Sequence, residues 1–225
     1  MLHIVQNQCL PHWLQQHDAA PCAAVAPDFA VLRDRKGGAH FLLIATRTVR
    51  GIEDPLILRN DAPNYFAAAW QARDRLATVA GHPLRDDEIG LAINSAVARG
   101  QDQLHIHIEC QRADLRRVLR TAGAHITDRW QPLAGWGYPF LARRVSGANL
   151  DRVNPFLLLA DARPGIRDHM RAYTLVVAGA RFADGPGFVL LAGPTAAGAA
   201  ALLPASGGRV PPGETLLDAS CESDP

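Results

Sequence analysis

Residues 101–110 read QDQLHIHIEC and combine the alternation of a β-strand with two histidines. Successive side chains of a strand point to opposite faces, so residues two apart share a face. Leu104, Ile106 and Ile108 form an apolar face, which must pack against a core. The other face is polar and carries four side chains: Gln103, His105, His107 and Glu109. The stretch therefore predicts a strand whose polar row is either exposed or lines a site.

A second strand is predicted immediately upstream of this row. The segment EIGLAINS, residues 88–95, has the composition of a strand, and AVARG, residues 96–100, reads as a turn. Antiparallel pairing of the two strands brings the end of the first strand close to the histidines. The candidate binding residues in this strand and turn are Asn94, Ser95, Arg99 and Gln101.

Hairpins and helices alternate along the rest of the chain after a turn-rich opening. Apolar runs joined by Gly-containing turns predict hairpins, and apolar residues three and four apart predict helices. Asp61 or Asn64 is a candidate cap for the first of these helices, and Gly81 is its stop signal. The predicted segments are a hairpin over 29–46, a helix over 64–81, a helix over 113–123, a strand over 138–145, a mostly helical stretch over 154–173 and a hairpin over 173–193.

The predicted fold class is α+β, with an antiparallel sheet and packed helices, because strands and helices are interspersed and hairpins supply most strands. We expect a single domain over 1–225. The similar shape of the two hairpins suggests two related halves, about 1–125 and 126–200, that share one sheet system. The Gly-, Pro- and Ala-rich tail, about 194–225, is expected to be poorly ordered except where Cys221 holds it.

Composition excludes several classes of protein. The chain is 48% hydrophobic and 20% charged, as in ordinary globular proteins, and its net charge of +1 does not favour a nucleic-acid partner. No apolar run reaches the roughly 18 to 20 residues of a membrane-spanning helix. The first residues show no basic region followed by an apolar run, so no signal peptide is visible.

The four cysteines lie at positions 9, 22, 110 and 221. Their spacing contains no CxxC pair, which fits disulfides better than a zinc site, but it leaves three pairings open. We expect Cys9–Cys22 and Cys110–Cys221, with reduced thiols as the alternative. Two disulfides indicate an oxidising compartment.

The polar row allows three interpretations. It can be a half-exposed strand face, although Ile, Val or Thr are more usual occupants of a structural strand. It can hold a metal, because His105, His107 and Glu109 offer three ligands to zinc or iron. It can also supply a nucleophile, because a neutral imidazole has a free lone pair that can attack phosphorus.

The segment LAINSAVARGQDQLHIHIEC resembles the active-site segment of the histidine triad (HIT) superfamily, whose motif is three histidines at alternate positions of a strand. The wider match is to one branch, the CDP-diacylglycerol pyrophosphatase family. It includes the final cysteine and the segments CLPHW, PCAAV, APNYFAAAWQARD, YPFLARRV and NPFLLLADARPGIRDHMRAY. The resemblance spans most of the chain and implies a HIT-like fold.

The resemblance implies that CDP-diacylglycerol is hydrolysed to CMP and phosphatidate through a cytidylyl-histidine. Aligned on this branch, the triad reads Gln103, His105 and His107, so that glutamine replaces the first histidine and His105 is the nucleophile. His107 would stabilise phosphoryl charge. The alternative register makes His107 the middle member and Glu109 the third. Asn94, Ser95, Arg99 and Gln101 would hold the phosphoryl oxygens, and neither a metal nor another cofactor is required.

Location and partners also follow from the resemblance. Members of the branch are typically anchored to the bacterial inner membrane by an N-terminal helix, with the catalytic domain on the periplasmic face. Either such an anchor has been trimmed from this chain, or this member is a soluble periplasmic, secreted or peripheral form. The alternative functions are a HIT-type enzyme for another nucleotide-linked substrate, a metal-binding module, and an inactive relative that only binds nucleotide or lipid.

Overall fold

The structure is a computed structural model, and it describes residues 1–35, 37–195 and 208–222. Its strands are β1 (Ala24–Val25), β2 (Phe29–Arg33), β3 (Phe41–Ala45), β4 (Ile89–Ile93), β5 (His105–Gln111), β6 (Gln131–Pro132), β7 (Leu141–Ser146), β8 (Tyr173–Phe182), β9 (Gly185–Pro194) and β10 (Leu217–Asp218). Its α-helices are α1 (Leu2–Ile4), α2 (Leu10–Gln16), α3 (Tyr65–Gln71), α4 (Arg75–Ala80), α5 (Ala113–Ala122) and α6 (Pro155–Ala160).

All these strands form one antiparallel sheet, in the order β1-β2-β3-β5-β4-β8-β9-β7-β6, with β10 also paired to β5. The two predicted hairpins are present as β2–β3 and β8–β9. The pairing of β4 with β8 joins them into the same sheet. The α+β prediction, with an antiparallel sheet and packed helices, is confirmed.

Three clusters of buried apolar side chains lie on the two faces of the sheet. The largest covers one whole face and includes side chains of α3, α4 and α6. On the opposite face, a second cluster packs α5 and residues 210–217 against β4, β8 and β9. A third packs the N-terminal helical segment against β2 and β3. The strand β5 therefore lies between two separate coverings on that face, and a gap opens above it.

The helix predicted over 64–81 is interrupted but has the predicted limits. Asn64, rather than Asp61, is its cap and accepts a hydrogen bond from the Ala67 N–H. A 3-10 turn over Ala72–Asp74 separates α3 from α4. Gly81 ends α4 with a positive φ of 78°, a conformation that favours glycine.

The prediction of a turn-rich opening was wrong. Residues 2–16 are helical, with a π-helical segment (Val5–Cys9) between α1 and α2. Pro11 follows this segment, and since proline has no N–H to donate, a locally irregular helix is expected there. The proline led to the prediction of a turn, but the apolar side chains of Val5 and Cys9 hold a helix against the sheet.

The tail is better ordered than expected where the structure describes it. A 3-10 turn (Gly213–Leu216) leads into β10, and Leu216 and Leu217 are buried. The rest of the predicted tail, 196–207 and 223–225, lies outside the described residues. Both expected disulfides, Cys9–Cys22 and Cys110–Cys221, are formed.

No helix among the described residues is long and apolar enough to cross a membrane.

Candidate active site

The polar row of β5 faces the gap between the two coverings. On this strand His105 pairs with Ile44 and His107 pairs with Leu42 of β3. On its other side β4 places Ala92 opposite His107. Apolar neighbours on both sides leave the imidazoles few polar partners within the sheet. Polar partners must therefore come from the segments that lie above the sheet.

A pocket of about 520 Å³ lies above the row, a size typical of ligand sites. Ile4, Leu32 and Leu42 provide an apolar wall on the side of the N-terminal helix and first hairpin. Its polar lining consists of Arg33, Asp34, Arg35, Asn94, Gln101, His105, His107 and Glu214. The pocket therefore combines an apolar surface with cations, amides and two imidazoles.

His105 is held in one tautomer by the backbone. Its Nδ1 lies 2.7 Å from the carbonyl oxygen of Gln103. A carbonyl only accepts, so Nδ1 carries the proton and Nε2 keeps its lone pair. Burial lowers the pKa of His105 below its ordinary value, although the hydrogen bond to the Gln103 carbonyl opposes this effect. The imidazole is therefore a neutral nucleophile at physiological pH.

His107 is contacted at both ring nitrogens. Its Nε2 lies 3.1 Å from Oε2 of Glu214, and its Nδ1 lies 3.1 Å from Nε2 of His40. The same His40 nitrogen lies 3.2 Å from Oε1 of Glu109. All three members of this inner cluster, His40, His107 and Glu109, are buried, and burial raises the pKa of Glu109 to about 7.

The predicted metal set needs a correction, because the structure groups different residues. Ligand atoms of His40, His107 and Glu109 lie within 4.8 Å of one another. His105 does not belong to this group, since its Nδ1 is bonded to the Gln103 carbonyl. His40 takes the place that the sequence analysis assigned to His105.

The structure brings some predicted binding residues into the pocket and leaves others out. Asn94 and Gln101 line it. Ser95 lies outside the pocket lining and accepts a hydrogen bond from the Thr195 hydroxyl at 2.5 Å. Arg99 also lies outside the lining, because its guanidinium binds Glu53.

Gln103 does not line the pocket and acts on it through its backbone. Its carbonyl fixes the tautomer of His105. Its side-chain amide donates to the carbonyls of Ala45 and Arg47, at 2.8 and 2.9 Å. The glutamine that stands in place of the first triad histidine therefore ties the start of β5 to the end of β3.

Sequence reasoning missed His40, Glu214 and two cations at the pocket edge, Arg33 and Arg35. His40 precedes β3 on the side facing Glu109, a placement that only the register of β3 and β5 reveals. Glu214 lies in a Gly- and Pro-rich segment with no local signal for a site. Its backbone N–H is held by Asn94 Oδ1 at 3.2 Å, which directs the residue toward the histidines.

Comparisons with known proteins add to this geometry. The profile of the family described as "CDP-diacylglycerol pyrophosphatase" matches residues 1–225. A CDP-diacylglycerol pyrophosphatase from Yersinia pestis is 43% identical over 193 residues, which cover 84% of this chain and 74% of that protein. Among solved structures, a HIT family hydrolase from Clostridium thermocellum matches 47% of this chain and 92% of its own, with 14% identity and a TM-score of 0.33.

Proposed function

The chain belongs to the CDP-diacylglycerol pyrophosphatase family, and we propose that it hydrolyses the diphosphate bond of CDP-diacylglycerol through a covalent cytidylyl intermediate on His105. The family establishes a hydrolase acting on a diphosphate bond. The observation that carries the proposed intermediate is the hydrogen bond from His105 Nδ1 to the Gln103 carbonyl, which leaves Nε2 as the nucleophile of a residue that lines the pocket.

In the first step, Nε2 of His105 attacks the phosphorus on the cytidylyl side. A bond forms between nitrogen and phosphorus, and the bond to the bridging oxygen breaks. Phosphatidate leaves with the electron pair. Division of the hydrolysis into two displacements is the usual advantage of a covalent intermediate.

The charge that develops on the phosphoryl oxygens is met by donors of the pocket. His107 and the amides of Asn94 and Gln101 line the same pocket as the nucleophile and can supply these donors. The guanidinium groups of Arg33 and Arg35 at the edge suit the remaining phosphate, because arginine binds phosphate through paired N–H groups.

Glu214 acts on His107 as a positioning residue. The carboxylate oxygen Oε2 lies 3.1 Å from Nε2 and acts on the ring through its charge, without a formed hydrogen bond. When substrate binds, a phosphoryl oxygen takes the place of the carboxylate and accepts the hydrogen bond from Nε2.

In the second step, water attacks the phosphorus of the cytidylyl-histidine. The phosphorus–nitrogen bond breaks, CMP is released and His105 regains its lone pair. The proton of the attacking water leaves through the polar groups that line the pocket. The two steps together convert CDP-diacylglycerol and water into phosphatidate and CMP.

The test is to trap the intermediate with CDP-diacylglycerol carrying ³²P in its cytidylyl phosphate. We expect protein-bound label that is stable to alkali, labile to acid and located on the peptide containing His105. His105→Ala should lose the label and at least about 1,000-fold in CMP release. His107→Ala should keep the site of labelling but react about 100-fold more slowly.

A matched control is His125→Ala, because His125 is exposed and does not line the pocket. Its rate should equal that of the parent. Label on His107, or CMP release by His105→Ala at the parent rate, would instead support the alternative register and reject the proposed nucleophile.

We also propose that the enzyme works at the periplasmic face of the bacterial inner membrane. The two disulfides fit an oxidising compartment, and the proposed substrate is a membrane lipid. In sealed spheroplasts that express the natural gene, added protease should digest the protein while a cytoplasmic marker survives. The protein should also sediment with membranes, and resistance to the protease would reject this location.

A further inference from the structure

The inner cluster below the pocket places three potential ligand atoms close together. His40 Nε2 lies 3.1 Å from His107 Nδ1 and 3.2 Å from Glu109 Oε1, and the last two atoms are 3.7 Å apart. One nitrogen of each imidazole and one carboxylate oxygen therefore form a triangle with two short sides and one longer side. All three side chains are buried.

We propose that this triangle is a binding site for a divalent ion of the zinc class. Zinc binds imidazole nitrogen and carboxylate oxygen at about 2.0 to 2.2 Å, so two donors of a tetrahedral site are about 3.3 to 3.6 Å apart. The three observed separations bracket this value. Two imidazoles and one carboxylate also match the ligand preference of zinc rather than that of magnesium or calcium.

Glu214 supplies the outer contact that such a site needs. Histidines that bind metal through one nitrogen usually donate the other N–H to a carboxylate or carbonyl, which orients the ring. Glu214 Oε2 lies 3.1 Å from His107 Nε2. This carboxylate faces Nε2, while Nδ1 on the other side of the ring faces His40 and Glu109.

The scaffold that carries the three ligands is rigid. His107 and Glu109 are two residues apart on the same face of β5. The register of Leu42 with His107 and of Phe41 with Ile108 brings His40, one residue further, beside Glu109. Ligands on paired strands keep their separation, so only side-chain rotation is needed to close around an ion.

The surrounding charge favours a cation. Three carboxylates, those of Glu214, Asp34 and Asp218, act electrostatically on Glu109, and His40 acts in the opposite direction. A divalent ion would balance part of this negative charge. It would also hold His107 in the tautomer that presents Nε2–H to the pocket, while His105 remains outside its coordination sphere.

The test uses Co²⁺ as a spectroscopic probe and Zn²⁺ as its competitor, with the purified chain after treatment with a chelator. We expect one Co²⁺ per chain, the intense visible absorption of a tetrahedral site, and displacement by one equivalent of Zn²⁺. His40→Gln and Glu109→Gln should each lose this spectrum. Glu214→Gln should weaken binding by about 10- to 100-fold, as expected for an outer partner.

Two matched variants complete the experiment. His105→Gln and His125→Gln each remove a histidine but spare the cluster, so both should bind Co²⁺ as the parent does. Because no substrate is present, the result is independent of the chemistry proposed for His105. Thermal melts of each variant would show that lost binding is not lost folding.

Two outcomes would overturn the proposal. One is a parent chain without the tetrahedral spectrum, or with a spectrum that both His40→Gln and Glu109→Gln retain while they are folded. The other is loss of the spectrum in folded His105→Gln, which would move the site to a different set of histidines.

Discussion

At the scale of the residue, His105 and His107 are equivalent in the strand pattern and different in their contacts. His105 donates from Nδ1 to a backbone carbonyl of its own strand. His107 contacts side chains from two distant segments, at His40 and Glu214. The first environment leaves a lone pair for attack, and the second holds the ring between a carboxylate and another imidazole, which is why we assign them different roles.

Gln103 illustrates how a residue in the row can be structural. Replacement by leucine removes the two hydrogen bonds to the Ala45 and Arg47 carbonyls. Because buried carbonyls are left without these donors, we expect Gln103→Leu to lower the free energy of unfolding by about 2 to 3 kcal/mol. Urea denaturation would measure it.

The matched control is Gln15→Leu, since Gln15 is exposed on α2. It should unfold like the parent. CMP release by folded Gln103→Leu should fall far less than that of His105→Ala. A loss as large as that of His105→Ala in a fully stable protein would make the Gln103 side chain catalytic, against this assignment.

At the scale of the element, the turn between β4 and β5 is held from outside the pocket. Arg99 pairs with Glu53 through two hydrogen bonds of 2.7 and 2.5 Å, and also with Asp102. Gly51 lies so close that a β-carbon there would be 2.5 Å from the guanidinium. The turn that carries Gln101 into the pocket is thus braced against the loop after β3.

We therefore expect Arg99→Gln to destabilise the protein and to loosen the turn. The guanidinium is buried, and its loss leaves Glu53 without its partner, which should cost about 2 to 4 kcal/mol in urea denaturation. The KM for CDP-diacylglycerol should rise more than kcat falls, because the nucleophile is untouched.

The exposed pair Arg59–Asp61 provides the control for this prediction. Arg59→Gln should change neither stability nor KM measurably, since exposed ion pairs contribute little. If Arg99→Gln has normal stability but loses kcat, Arg99 acts on the substrate itself, as the sequence analysis proposed.

At the scale of the whole molecule, a disulfide connects the end of the chain to the catalytic strand. Cys110 lies on β5 and Cys221 follows β10, and the pairing of β10 with β5 supports the same connection. The segment between β9 and Cys221 carries Glu214. The covalent link therefore keeps a carboxylate from the tail beside a histidine of the sheet.

Removal of each disulfide should have different consequences. The bridge Cys110–Cys221 closes a loop of 111 residues and Cys9–Cys22 one of 13. We expect the double serine variant of the first to lose about 4 to 5 kcal/mol and that of the second about 3 kcal/mol. Urea denaturation compares them.

The same two variants separate stability from function. Without urea, and at a temperature where both variants are folded, loss of Cys110–Cys221 should reduce CMP release more than loss of Cys9–Cys22. The reason is that Glu214 is then released from His107. Equal activity in the two variants would show that β10 and the apolar contacts of Leu216 and Leu217 hold Glu214 without the disulfide.

Most of the secondary structure could be predicted because its signals are local. Alternation identified β5, apolar runs identified both hairpins, and Asn64 and Gly81 marked the limits of a helical region. The N-terminal helix was missed because Pro11 imitates a turn. Composition likewise suggested poor order for the tail, about 194–225, except where Cys221 holds it, whereas Leu216 and Leu217 are buried by long-range packing.

The sequence by itself determined the polar row of β5, its apolar reverse face and the family, because each is a property of consecutive residues. Only the tertiary structure decided which groups meet that row. His40 lies 67 residues from His107 in the chain, and Glu214 lies 120 residues from Asn94. Strand register and the packing of the tail bring them together, and neither leaves a local pattern. For the same reason Arg99, a natural phosphate ligand in the sequence, proved to be paired with Glu53.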